Sequence, residues 1–129
     1  MKNQRAVIVG GAAGLGLSVA RLMLKEGAAA IALIDKNRAA LDEAVAQLRS
    51  EGHEVFGVAG DITLKESAHE AFRQAVAVLG RVDSVVNSAA IYPRRALLEI
   101  SDEDWDLENA VNIKGCLLYT SDAADDLTR

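Results

Sequence analysis

Residues 5–27, RAVIVGGAAGLGLSVARLMLKEG, place two structural periods back to back. RAVIVG (5–10) is a continuous apolar run closing on glycine, the mark of a strand buried on both faces. A helical pattern follows at once, and Gly10, Gly14 and Gly16 between them make a G-x-x-x-G-x-G spacing. Glycine suits a junction where backbone must turn sharply or approach another group without an intervening Cβ. The uncharged stretch Ala6–Ala20, preceded by Lys2 and Arg5, could pass for a secretory signal. Gly10, Gly11, Gly14 and Gly16 interrupt it, each a poor helix former, and fifteen residues are too few to span a bilayer. The stretch reads as soluble structure.

Three further runs rich in β-branched residues follow: AIALID (30–35), EVFGVAG (54–60) and RVDSVVNSA (81–89). Between them Leu41, Ala44, Val45 and Leu48 recur at helical spacing, as do Ala68, Phe72, Val76 and Leu79. Thr63 with Glu66 makes a capping-box pattern and predicts that the third helix begins there. Ser101 with Asp104 suggests a cap before a fourth helix over 105–112, packed by Trp105. Strands separated by helices of this length predict an α/β fold, a doubly wound parallel sheet of Rossmann type.

The 129 residues fit one domain, and 19 acids against 14 bases give a net charge of −5. That charge repels phosphate backbones and argues against nucleic acid as a partner. The single Cys116 excludes a disulfide framework within the chain and suits a reducing cytosol, so a cytoplasmic location is expected, with no membrane partner. His53 and His69 read as surface residues with no metal-ligand set around them.

The glycine turn fits a dinucleotide: the pyrophosphate can meet bare backbone, and the helix aims free N–H groups and its positive dipole end at it. Asp35 ends the second strand, nineteen residues after Gly16. A carboxylate there can accept both ribose hydroxyls of adenosine and would repel a 2′-phosphate, so NAD is favoured over NADP. Lys36 and Arg38 keep NADP as the minority reading. The bland alternatives are a turn that merely packs a helix on a strand, and a solvated loop acid.

With these motifs in order, residues 5–115 resemble the short-chain dehydrogenase/reductase family. VGGAAGLG (9–16) resembles its T-G-x-x-x-G-x-G turn, with Val9 where Thr is usual. GDIT (60–63) is similar to its Asp-Val-Thr segment, NSAA (87–90) to N-N-A-G, and VNIKG (111–115) to the helix bearing an active-site Asn. Ser88 and Ala90 depart from the third pattern. The resemblance implies that Gly10, Ala13, Gly14, Leu15 and Gly16 cradle the cofactor and that Asp61 and Ile62 lie beside adenine. It implies further that Asn87 and Ala89 contact the ribose side and that Asn112 holds a water in a proton relay. It also implies a small alcohol or carbonyl substrate and a homo-oligomer.

The family's Tyr general acid/base, its Lys four residues later and its upstream Ser find no match. Tyr92 is followed at +4 by Ala96 and Tyr119 by Ala123. A phenol needs a neighbouring cation to yield its proton near neutral pH. Back-translated with one choice of codons, CLLYTSDAADD (116–126) resembles a transposon-type sequencing-library adapter read in frame. Residues 1–115 are therefore expected to be the dinucleotide-binding half of an enzyme and 116–129 a non-native tail, truncating the sheet after four strands. Such a fragment is expected to be inactive alone and prone to aggregate along its fourth strand. An NAD-binding module without catalysis, or a polypeptide without function, are the alternatives.

Overall fold

The structure is a computed structural model and describes residues 2–88, 101–103 and 106. The chain runs β1 (Arg5–Val9), α1 (Gly14–Lys25), β2 (Ala30–Asp35), α2 (Arg38–Ser50), β3 (Val55–Ala59), α3 (Lys65–Leu79) and β4 (Ser84–Asn87). The strands are all parallel and lie in the order β3-β2-β1-β4. This is the α/β sheet expected from the alternation of apolar runs and helical patterns.

The continuous apolar runs have a direct cause. Along β1 and β2, alternate side chains enter two different cores. Ala6, Ile8, Ile31 and Leu33 pack beneath α1 and α2 with Met23, Leu24, Leu41 and Leu48. Val7, Val9, Ala32 and Ile34 pack beneath α3 with Phe72 and Leu79. Helix α3 occupies the opposite face because the chain must return from edge strand β3, past β2 and β1, to begin β4. Phe72 is 1% exposed. Phe72→Ala is expected to lower the unfolding free energy by about 3–5 kcal/mol, read from a urea transition; an unchanged midpoint would mean that α3 is not docked.

One local reading is corrected. The third helix begins at Lys65 with Leu64 as its N-cap and no side-chain cap. Thr63 therefore stands one residue before the N-cap position, and its hydroxyl donates to Asp61 Oδ1 at 2.6 Å. His53 and His69 are both partly exposed at the surface. Helix α2 does have a side-chain cap: Asn37 Oδ1 accepts the Ala40 N–H at 3.1 Å.

At the N-terminal ends of the strands, Asp83 ties β4 to β1. Its Oδ2 accepts the Arg5 N–H at 2.8 Å, and Arg81 donates to both of its carboxylate oxygens. The Arg5 amide bond foremost, with the Arg81 bonds and charge, holds this carboxyl below the usual carboxylate range against a smaller opposing effect of burial. Val85 and Val86 of β4 are only half-buried. Among the described residues β4 pairs with β1 alone. Asp102, Glu103 and Asp106 are helical and exposed, while Trp105, Asn112 and the rest of the expected fourth helix lie outside the described residues.

Candidate functional site

From β1 the connections diverge: α1 carries the chain to β2 on one side, and β4 returns on the other. Such a reversal leaves a crevice at the C-terminal ends of the strands. A cleft of about 370 Å³ lies there, lined by the glycine turn, the ends of β1 and β2, residues 60–63 and Ser88.

The turn is built by glycine chemistry. Gly10 has φ 75° and donates its N–H to the Ile34 carbonyl at 2.8 Å, which tethers the turn to β2. Gly16 is held for a different reason. A Cβ added there would stand 3.0 Å from the Gly10 carbonyl carbon and nearer still to its oxygen and to Ser88 Oγ. Helix α1 has Ala13 as its N-cap with no side-chain cap, and its first internal bond is Leu17 N–H to the Ala13 carbonyl. Its opening N–H groups are donors beside the cleft, with the positive end of the helix dipole behind them.

Asp35 joins both walls. Its Oδ2 accepts the Ala12 N–H at 3.2 Å and its Oδ1 the Asn37 N–H at 3.0 Å. Each carboxylate oxygen retains capacity for another donor. Lys36 beside it also lines the cleft. Arg38 faces along α2, where it pairs with Asp42 at 3.5 Å.

Across the cleft, Asp61 is fixed by Thr63, whose N–H and hydroxyl both donate to Oδ1, at 2.9 and 2.6 Å. The Asp61 N–H in turn donates to Ser67 Oγ at 2.9 Å. Burial pushes the Asp61 carboxyl up, but the Thr63 hydroxyl, the Thr63 amide and the charge of Lys36 together outweigh it and hold the pKa below 3.8. A group more acidic folded than unfolded contributes fully above its ordinary pKa, and that contribution disappears as pH falls through the lowered folded value. Thr63→Val is therefore expected to raise the Asp61 pKa, which a carboxyl NMR titration between pH 2 and 6 (roughly the carboxylate range) would detect. An unmoved titration would remove Thr63 from the network. Ile62, 6% exposed, adds an apolar wall.

The cleft thus brings together Gly10, Ala13, Gly14, Leu15, Gly16, Asp35, Asp61 and Ile62. Asn87 is exposed at the end of β4, beside Val9 in the sheet and one residue before the lining residue Ser88. Ala89 and Asn112 lie outside the described residues. Sequence reasoning missed Ser88, Thr63 and Gly60 as lining residues. Ser88 was visible only as a departure from a motif.

The sequence profile described as short chain dehydrogenase matches residues 4–129. The chain belongs to the short-chain dehydrogenase family. It is 35% identical over 123 residues to subunit BbsD of a hydroxy(phenyl)methylsuccinyl-CoA dehydrogenase from Thauera aromatica, covering 93% of this chain and 48% of that protein. Hydroxyacyl-CoA dehydrogenase ChsB1 from Mycobacterium tuberculosis is 38% identical over 129 residues, covering 96% of this chain and 40% of its own length. A variant of actinorhodin polyketide ketoreductase crystallised with NADPH superposes with a TM-score of 0.90 at 26% identity, covering 98% of this chain and 49% of that one. The chain therefore spans about half the length of the short-chain dehydrogenases it matches.

Proposed function

We propose that the cleft binds a nicotinamide dinucleotide, NAD in preference to NADP, for a short-chain dehydrogenase/reductase that interconverts an alcohol and a carbonyl. The observation that carries this reading is the uncapped start of α1 sharing one cleft with the Asp35 carboxylate. Those two features match the two ends of an ADP moiety.

The residues present fit such a group. Gly14 has φ 57° and nothing within 4 Å of an added Cβ, leaving open space at the turn. Gly10, Ala13, Gly14, Leu15 and Gly16 would meet the pyrophosphate with backbone. Asp35 would accept from the adenosine ribose, and Asp61 and Ile62 would flank adenine. Asn87 and Ala89 would serve the nicotinamide ribose, and Asn112 would hold a water in the proton path. When bound, the nicotinamide supplies hydride acceptance and donation; these side chains orient it and exclude water. Lys36 at the cleft and the NADPH complex of the ketoreductase relative keep NADP as the competing cofactor.

The substrate is proposed to be a small alcohol or carbonyl compound. Two relatives, each named as a dehydrogenase of a hydroxylated CoA thioester, support an alcohol/carbonyl pair. We further propose that the whole protein is a cytoplasmic homo-oligomer, that residues 116–129 are a non-native tail, and that the 129-residue chain alone does not turn over substrate. Among the described residues no helix is long and apolar enough to cross a membrane.

Titrating the chain with NAD and with NADP by calorimetry tests the binding reading. Saturable binding, tighter for NAD, is expected, and no heat with either would end it. Binding without turnover, with a native stop codon after Arg129, would favour the non-catalytic module. Resequencing the source DNA across codon 115 tests the tail; a frame that continues into a Tyr-x-x-x-Lys is expected.

A further inference from the structure

We propose that the Ser88 hydroxyl is a positioning group, a latch from the end of β4 that holds the glycine turn in the shape that receives a pyrophosphate. The proposal rests on the nucleotide reading above.

Four observations converge on Ser88. Its N–H donates to the Val9 carbonyl at 2.9 Å. Its hydroxyl lies 2.8 Å from the Val9 carbonyl oxygen and 3.2 Å from that of Gly10, so one O–H serves two acceptors as a three-centre bond. The space that a Cβ on Gly16 would fill is taken by Ser88 Oγ and the Gly10 carbonyl. Ser88 itself lines the cleft. The side chain of Val9, 1% exposed in the core under α3, has no polar atom with which to hold the turn. Val9 and Ser88, one departure from the family's turn motif and one from its strand-end motif, are thus bonded to each other.

The chemistry follows from the direction of the Gly10 carbonyl, which is turned toward Ser88 and Gly16. A carbonyl deprived of its donor is free to rotate. Turned into the cleft, it would set the negative end of its dipole against a pyrophosphate and carry the opening N–H groups of α1 out of line. The latch therefore acts on the phosphate end of the site. Adenosine, held by Asp35 and the residue 61–63 segment, lies beyond its reach.

The test compares ADP with adenosine as ligands of the 129-residue chain, by calorimetry and ligand-observed NMR. Ser88→Ala is expected to weaken ADP about tenfold, the size of one lost hydrogen bond to a positioned group, and to leave adenosine within about twofold. A general loosening of the fold would weaken both ligands alike, and that result, or no change in ADP affinity, overturns the latch. If Ser88→Ala does not fold, the isosteric pair Ser88→Thr and Ser88→Val replaces it. Thr keeps the hydroxyl and is expected to bind ADP more tightly than Val, and equal binding overturns the proposal. If the unaltered chain binds neither ligand, the nucleotide reading falls, and amide hydrogen exchange of Gly10 to Gly14 in the free chain decides the latch. Faster exchange in Ser88→Ala supports it, and unchanged exchange overturns it.

Discussion

Gly16→Ala is expected to abolish dinucleotide binding at concentrations that saturate the unaltered chain, and to lower the melting temperature by several degrees. The added methyl has nowhere to go: one side is the Gly10 carbonyl and the other is Ser88 Oγ. Both are held by hydrogen bonds rather than being the loose ends of flexible side chains. Overpacking of this kind costs about 1–3 kcal/mol in stability, roughly 3–15 °C for a domain of this size. The loss of function should exceed the loss of stability, because relieving the clash requires α1 to move off the turn. Gly14→Ala is the control. Its φ of 57° makes alanine strained by about 1–2 kcal/mol, but nothing stands within 4 Å of the new methyl. A Gly16→Ala chain that binds NAD as tightly as the unaltered chain would show that the turn does not sit against β4 as described.

Asp35→Asn should change which cofactor is preferred. The wild-type carboxylate accepts from Ala12 N–H at one oxygen and Asn37 N–H at the other, and offers its remaining lone pairs to the cleft. The amide keeps one acceptor oxygen and turns an NH₂ toward a backbone N–H, so it breaks one of these bonds and removes the charge. Hydrogen bonds to a charged partner contribute about 1.5–3 kcal/mol, so NAD affinity should fall roughly 10–100-fold. NADP should lose far less, since the repulsion of its 2′-phosphate disappears while Lys36 stays at the rim. Parallel titrations with the two cofactors give the ratio. A ratio that does not move toward NADP would remove Asp35 from cofactor selection.

The parts of this molecule that sequence exposes are those whose cause is local. The run at 5–10 is apolar throughout because β1 is covered on both faces, and the glycine spacing encodes a turn that only a few residue types can make. Asp35 is legible because it stands at a fixed distance after the turn. Ser88 is not legible in the same way: its hydroxyl bonds a carbonyl 79 positions earlier, and no pattern near residue 88 announces that partner. Thr63 misleads for the complementary reason. Its hydroxyl had two local roles open to it, accepting a helix N–H as a cap or donating to Asp61, and the spacing Thr-x-x-Glu describes only the first. Asn37 is a legible cap by contrast, an Asn set just before a helical pattern whose Oδ1 accepts the Ala40 N–H.

The strand order has a consequence for the life of the chain before it is folded. β1, β2 and β3 are joined to their spatial neighbours through single helices, so that part of the sheet can grow by successive short closures. β4 docks on a strand whose first bond to it, Arg5 N–H to Asp83, spans 78 positions. During synthesis the carboxylate at 35 and the glycine turn therefore leave the ribosome long before the wall that completes their cleft. A nucleotide that needs both walls has no site until β4 has docked, and thereafter its binding favours the closed arrangement over the open one. On the proposed reading, nucleotide capture therefore reports that β4 has docked, and a nucleotide added during refolding acts on that docking step.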